Sequence, residues 1–362
     1  MEIAELSTPA LLVDWDRVQA NCRMMSGRAT ALGVRLRPHV KTHKCVEIAR
    51  LQVGGHFGGI TVSTMAEARS FHGQGFDDIT LAVPVSPHRV DEALSLGVNM
   101  LVDSMVAVEA IEAASADRSA QVYLKVDCGY GRAGVIPGSP EATALAERLH
   151  HSPAIDFLGL LTHGGHSYDC VGASAIREVA QQERDTVVGF AAHLRSLGVP
   201  CPEVSVGSTP TMMHVDHLEG VTEMRPGNYA LFDGFQAAIG SCRPEQVAVS
   251  VMGTVIAAHP DRAILDLGAL AMSKDPGPVH ADPHCGYGTV LAMDGTAMAD
   301  VNLVGLSQEH GKLKGAGIAQ LRVGQRLRVV PNHSCLTMAC FASAQTTSGT
   351  AVIGRIAPCR GW

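Results

Sequence analysis

The chain has no paired cysteine motif. Ten cysteines stand at positions 22, 45, 128, 170, 201, 242, 285, 335, 340 and 359, and no two are spaced as CxxC. This fits a reduced, cytoplasmic chain whose cysteines are mostly small core residues. Positive charge is also in deficit: 28 Lys and Arg against 35 Asp and Glu give a net charge of −7. That balance disfavours nucleic acid or an anionic membrane as the main partner. No uninterrupted apolar run reaches the ~18–20 residues needed to cross a bilayer. The opening segment MEIAELSTPALLVD lacks the basic-then-apolar order of a secretory leader and is not expected to be one. No residue-level repeat is present. What the 362 residues do have is 46% hydrophobic and 17% charged side chains, which suits a folded enzyme with one large domain and a smaller one.

Short apolar runs recur at 34–38, 58–63, 78–84, 99–104, 120–127, 155–163, 202–208 and 221–227. Helix-like stretches separate them, among them VEIARLQV, MAEARSFHG, HRVDEALSLG, MVAVEAIEAA, EATALAERLHH, a long one near 173–197 and the short TMMHVDHL. Gly54, Gly73, Gly97 and Gly198 stand where helix C-caps are expected. Eight strands alternating with helices over about 200 residues predict a (β/α)8 TIM-like barrel. A helical segment at 16–32 precedes the first of them. Beyond Phe235 the pattern changes to strands separated by Gly, Pro and Asp turns (QVAVSVMGTVIAA, RAILDLGAL, ADVNLVGL, QRLRVVP, AVIGRIA), which predicts a smaller, mostly antiparallel β domain. The expected division is 1–243 for the barrel and 244–362 for the β domain, with the first strand of the chain free to join the latter.

A (β/α)8 barrel places its active site at the C-terminal strand ends, and there the reactive residues gather. Strand one leads into Arg37-Pro38-His39-Val40-Lys41-Thr42-His43-Lys44, strand five into Asp127-Cys128-Gly129-Tyr130-Gly131-Arg132-Ala133-Gly134, and strand six into His163-Gly164-Gly165-His166. Strand seven leads into Gly207-Ser208-Thr209-Pro210-Thr211, and strand eight into Arg225-Pro226-Gly227-Asn228-Tyr229. The segment at 207–211 reads either as a phosphate cradle or as an ordinary N-capped helix start. Lys41 follows a proline-broken strand. Arg37, His39, His43 and Lys44 offer the neighbouring positive charge that lowers a lysine pKa toward Schiff-base chemistry, although a solvated basic loop would look the same.

RPHVKTHK at 37–44 resembles the cofactor-lysine motif of the D-threonine aldolase / D-serine dehydratase family, a branch of the alanine-racemase-like (fold type III) pyridoxal-phosphate (PLP) enzymes. STPALLVD at 7–14, GYGRAG at 129–134, MRPGNYALFD at 224–233, SQEHG at 307–311 and PNHSC at 331–335 resemble the same family in the same order. The resemblance implies that Lys41 holds PLP covalently and shuttles the Cα proton. It implies that Ser208 and Thr209, next to Gly207, hold the phosphate. His39, Arg132, His163, Arg225 and Tyr229 would lie near the cofactor, and His333 and Cys335 would bind a divalent metal. QRLRVVPNHSC reads as a strand entering a turn, and in an extended chain residues two apart face the same way. A thiolate ligand favours zinc over manganese or magnesium. The His163–His166 pair is a second metal candidate and more naturally a wall of the cofactor site. Cys285 beside His284 carries no expected role.

The family implies a small D-β-hydroxy amino acid as substrate, and a homodimer. His-x-Cys is similar to the dehydratase branch, so β-elimination from D-serine or a D-3-hydroxyaspartate-like substrate is the leading expectation. The alternative is a D-threonine-type aldolase, yielding glycine and an aldehyde. A racemase would need an opposing tyrosine early in the β domain, where the lone tyrosine after residue 240 is the later Tyr287. A PLP carrier would lack the β domain and the metal pair.

Overall fold

The computed structural model describes residues 1–115 and 118–362. The chain forms two compact units. One comprises Met24–Lys41, Ala49–Gly227 and Cys359–Trp362; the other comprises Met1–Arg23, Thr42–Ile48 and Asn228–Pro358.

The first strand, β1 (Ala10–Asp14), belongs to the second unit. The first unit is built on β2 (Arg35–Leu36), β3 (Ile60–Val62), β4 (Ile79–Pro84), β5 (Asn99–Val102), β6 (Ala120–Lys125), β7 (Ile155–Leu161), β8 (Glu203–Val206) and β9 (Glu223–Met224). Every neighbouring pair is parallel, in the order β2-β9-β8-β7-β6-β5-β4-β3. A parallel bridge between His39 and Thr61, with the Thr61 N–H donating to the Pro38 carbonyl at 2.9 Å, joins the two ends of the sheet. The result is the expected eight-stranded barrel. All residues of β3 and β5 are buried, as befits parallel strands covered on both faces, which explains the continuous apolar runs in the sequence.

The helices fall where the 3.6-residue periodicity places them: Trp15–Ala31, Val46–Val53, Met65–His72, Val90–Ser95, Met105–Ser115, Pro140–His151 and Ala173–Ser196. Gly97 and Gly198 take the left-handed conformation expected past a helix C-terminus. At Gly54-Gly55 it is Gly55 that does so, and Gly73 stays right-handed at φ −62°. Within β7, Gly159 has φ 133°, and a Cβ there would lie 2.1 Å from the Glu203 carbonyl oxygen, so this step of the barrel requires glycine.

A buried ion cluster braces the barrel. Arg37, 3% exposed, donates from Nε to Glu223 Oε2 at 2.7 Å and from Nη1 to Asp78 Oδ1 at 2.6 Å. Ser205 Oγ donates to the other Glu223 oxygen at 2.7 Å. Two carboxylates thus engage the Arg37 guanidinium, which was expected to lend charge to Lys41.

The second unit holds a nine-stranded sheet. Its remaining strands are β10 (Val249–His259), β11 (Arg262–Leu265), β12 (Gly288–Leu291), β13 (Ala297–Leu306), β14 (Gly311–Lys314), β15 (Arg326–Pro331), β16 (Ala344–Ser348) and β17 (Ala351–Ile356). All pairings are antiparallel except β1 with β16. The unit also contains short helices that strand patterning did not suggest, at Ala269–Met272 and Ser334–Cys340.

Candidate cofactor and metal sites

Lys41 lies in a single helical turn, Val40–Thr42, just past the first barrel strand. Its backbone N–H points to His39 Nδ1 at 3.4 Å, while His39 Nε2 faces Ser63 Oγ at 3.3 Å. His39 is buried. Burial first, then the charges of Lys41 and Arg225 and the neighbouring His163, push its pKa well below 6.5, so the ring is neutral. The backbone of Gly227 passes so close to His39 that a Cβ would meet the His39 carbonyl oxygen at 2.3 Å.

His163 follows β7. Its Nδ1 pairs with the Gly207 carbonyl at 2.9 Å, which in the neutral ring makes Nδ1 the donor and leaves Nε2 a free acceptor. Burial, then Lys41 and Lys125, hold its pKa well below 6.5. Tyr130 meets the ring edge-on, with centroids 6.0 Å apart, and the Arg132 guanidinium lies 4.9 Å over the Tyr130 ring. Asp127 folds this glycine-rich loop by accepting the N–H groups of Gly129, Tyr130 and Gly131, each at 2.9 Å. Opposing the effect of burial, those three bonds hold its carboxyl below the usual range.

At 207–211 both readings of the sequence have structural content. Ser208 is the N-cap of the helix Thr209–His214. Its hydroxyl accepts the Thr211 N–H at 3.2 Å, and it lies 3.0 Å from Ser167 Oγ. Gly207 has φ 126°. Its N–H donates to Glu183 Oε1 at 2.8 Å and its carbonyl accepts from His163, so neither backbone group is directed to a ligand. Glu183 is wholly buried and accepts the Gly164 N–H at 2.6 Å through the same oxygen, tying the loops after β7 and β8 together. Thr209 is buried beside Ser208.

Lys125, at the end of β6, is not among the site residues expected from the sequence. It is 5% exposed and, among the described residues, makes no hydrogen bond or ion pair. Burial first and the Arg225 charge second lower its pKa to about 7. Arg225, also buried, donates from Nε to Ser205 Oγ at 2.7 Å and from Nη2 to the Thr162 carbonyl; neither partner is a carboxylate. Burial lowers its pKa as well. Lys41, Lys125 and Arg225 thus act on one group of side chains and depress the pKa values there. Such a charge set fits an anionic cofactor with a phosphate and a ring oxygen. The cue that a lysine ends an apolar strand, YLKVD, was present but is shared with many surface lysines.

The second unit carries the other candidates. Tyr229 is fully buried there. His333 is the N-cap of the helix Ser334–Cys340, with φ −131° and ψ 99°, and Cys335 lies in its first turn. The extended-chain geometry expected for 333–335 is corrected: the pair is brought together by a helix start. His333 Nδ1 is 2.8 Å from Asp275 Oδ2. Burial would lower the His333 pKa, but hydrogen bonds with Asp275 and Cys335 raise it to about 10. Cys335 Sγ lies 3.3 Å from Thr42 Oγ1 and 4.0 Å from Asn228 Nδ2. Asp233 Oδ2 pins the turn, accepting from Ser334 N at 3.0 Å, Ser334 Oγ at 2.9 Å and Asn228 Nδ2 at 2.9 Å. Among the described residues no group of three or more His, Cys, Asp or Glu side chains surrounds a common metal position. One imidazole nitrogen and one adjacent thiol suit a divalent ion that keeps open positions. Cys285 Sγ contacts the Pro276 carbonyl at 3.3 Å, a packing role.

A parallel barrel with a lysine past its first strand, and a β unit carrying His-x-Cys, define an enzyme of the alanine-racemase-like fold. Comparison with known proteins bears this out. The alanine racemase N-terminal domain matches residues 13–233, and a serine dehydratase domain matches 248–347. The chain belongs to the D-threonine aldolase / D-serine dehydratase family within that fold. It is 40% identical to D-threo-3-hydroxyaspartate dehydratase of Delftia sp. over 99% of this chain and 98% of that one. It is 34% identical to a D-serine dehydratase of Dictyostelium discoideum over 100% and 98%. A D-threonine aldolase of Arthrobacter sp. is 31% identical over 91% and 86%. The solved structure of the Delftia enzyme superposes with a TM-score of 0.95 at 38% identity, covering both chains completely. That enzyme has also been solved as a His-to-Ala mutant and, in a metal-free form, as a Cys-to-Ala mutant two positions further on. No helix of the described residues is long and apolar enough to cross a membrane.

Proposed function

We propose that this chain is a PLP- and divalent-metal-dependent lyase that dehydrates a small D-β-hydroxy amino acid, D-serine or a D-threo-3-hydroxyaspartate-like substrate, to an oxo acid and ammonia. The observation that carries the reading is the buried pair Lys125 and Arg225, neither in a salt bridge among the described residues, grouped with Lys41 in a chain this similar to dehydratases. When bound, PLP supplies an electron sink at Cα and the metal a Lewis acid for the departing hydroxyl.

The chain's own residues do the rest. Lys41 Nζ would hold the cofactor and would be the base for the Cα proton. The neutral rings of His39 and His163 wall the site without adding charge, and His163 Nε2 is free to accept a hydrogen bond. Ser208 and Thr209 supply hydroxyls for the phosphate, with Gly207 permitting close approach. Arg225, Arg132 and Tyr229 would lie near the cofactor ring or the substrate. His333 and Cys335 hold the metal; the thiolate favours zinc over manganese or magnesium. The His-x-Cys spacing equals that of the His and Cys mutated in the Delftia enzyme, whose Cys-to-Ala form is metal-free. The assembly is a homodimer in the cytoplasm.

A second reading, cleavage to glycine and an aldehyde, draws on the similarity to the Arthrobacter aldolase. The test is spectroscopic first: purified protein supplied with PLP shows a visible absorption band, and Lys41→Ala loses it together with turnover of D-serine. A wild-type protein with no band after PLP is supplied refutes the proposal.

A further inference from the structure

We infer that Asp275 is a metal-positioning residue: it fixes the His333 imidazole through Nδ1 so that Nε2 is the ligand atom. This rests on the reading of His333 and Cys335 as the metal pair. The contact itself is the 2.8 Å approach of Asp275 Oδ2 to His333 Nδ1. A carboxylate on one ring nitrogen fixes the tautomer, orients the ring and makes the other nitrogen a better donor. His333 cannot offer Nδ1 to a metal while Asp275 holds it.

Asp275 is itself held from several sides. Its Oδ1 accepts the Gly277 N–H at 2.9 Å, and Ser273 Oγ accepts the Asp275 N–H at 3.4 Å. Gly277 has φ 74°, and a Cβ there would lie 2.4 Å from Asn332 Nδ2. Asn332, the residue before His333, donates through that nitrogen to the carbonyls of Gly286 at 2.9 Å and Pro276 at 3.4 Å. The Asp275-Pro276-Gly277 turn is therefore clamped to the chain segment that carries the histidine. On the other side of the pair, Asp233 and Asn228 brace Ser334 and reach Cys335. The two carboxylates divide the work: Asp233 places the turn and Asp275 aims the ring. His333 and Asp275 are 58 residues apart in the chain, which hid the relation from motif reading.

The experiment is zinc binding to the purified, metal-stripped full-length protein, read by competition with a chromophoric chelator, with folding checked by circular dichroism. Asp275→Ala is expected to bind zinc about 10–100-fold more weakly than wild type. Asp275→Asn keeps an oxygen able to accept from Nδ1 and is expected to recover part of that loss. With cobalt at saturation, Asp275→Ala should retain the sulfur-to-cobalt charge-transfer band of Cys335, since the thiolate is untouched. Wild-type affinity in Asp275→Ala, while His333→Ala and Cys335→Ala lose zinc, overturns the role of Asp275 and leaves the metal pair standing. Wild-type affinity in His333→Ala overturns the metal pair itself, and this inference with it. If Asp275→Ala does not fold, Asp275→Asn decides: zinc affinity no weaker than wild type overturns the inference.

Discussion

Replacing Lys125 with methionine should make the cofactor-free protein more stable at neutral pH. The lysine is 5% exposed, has no hydrogen bond or ion pair among the described residues, and has a pKa lowered from 10.5 to about 7 by burial and by Arg225. Each pKa unit corresponds to about 1.4 kcal/mol, so keeping this amine charged in the fold costs about 5 kcal/mol. That is a large part of the ~5–15 kcal/mol by which a typical domain is stable. Between pH 7 and 10.5 the unfolded chain binds a proton here that the folded chain does not. Stability from this group therefore rises with pH across that window, and the full penalty applies below pH 7. Methionine has similar length and no charge. Urea unfolding of the cofactor-free proteins should show Lys125→Met the more stable at pH 7 by several kcal/mol, with the advantage shrinking toward pH 10. Reconstituted with PLP, the same variant should hold the cofactor more weakly, because an anion-facing cation is gone. A variant less stable than wild type at pH 7, or a difference that does not change between pH 7 and 10, refutes the reasoning.

Three further outcomes follow from the same geometry. Reducing the PLP-loaded protein with borohydride and mapping its peptides should place the label on Lys41; a label on Lys125 would reassign the cofactor lysine. Glu183→Ala strands the N–H groups of Gly164 and Gly207, at about 1–3 kcal/mol each, and should lower the denaturation midpoint; an unchanged midpoint would deny Glu183 its bracing role. Arg37→Met leaves buried Glu223 with only the 4.0 Å approach of Arg35 for a cation and should cost about 3–5 kcal/mol in chemical denaturation; a loss under 1 kcal/mol would contradict the ion-cluster account.

The barrel was legible because its signals are local. Each predicted apolar run contains one of the eight parallel strands, and the helices between them follow their own periodicity. In the β unit, β10, β11, β13, β15 and β17 fall on the apolar segments expected to be strands, and β12, β14 and β16 were not legible. These three are short and rich in Gly, Thr or Lys, and their pairing is set by distant partners such as β15 for β12 and β1 for β16. The helix Ser334–Cys340 was read as extended because PNHSC follows a strand; its start is fixed by Asp233, 101 residues away, through the Ser334 N–H. Lys41, His39 and the 207–211 segment were singled out by their place after strands together with the family resemblance. Lys125, Glu183 and Asp275 were not, because what distinguishes them is their surroundings: burial without a salt bridge, two loop N–H groups, and a histidine ring. Arg37 shows the converse, since its motif placed it beside Lys41 while its guanidinium is engaged by Glu223 and Asp78.

The most direct test of the central claim is a product balance. The protein, loaded with PLP and zinc, would be incubated with D-threo-3-hydroxyaspartate and with D-serine, and ammonia, oxo acid, glycine and aldehyde quantified together. Ammonia and oxo acid in equal amounts from at least one substrate, abolished by Lys41→Ala, is the expected result. Glycine and an aldehyde without ammonia would contradict dehydration and establish the aldolase reading.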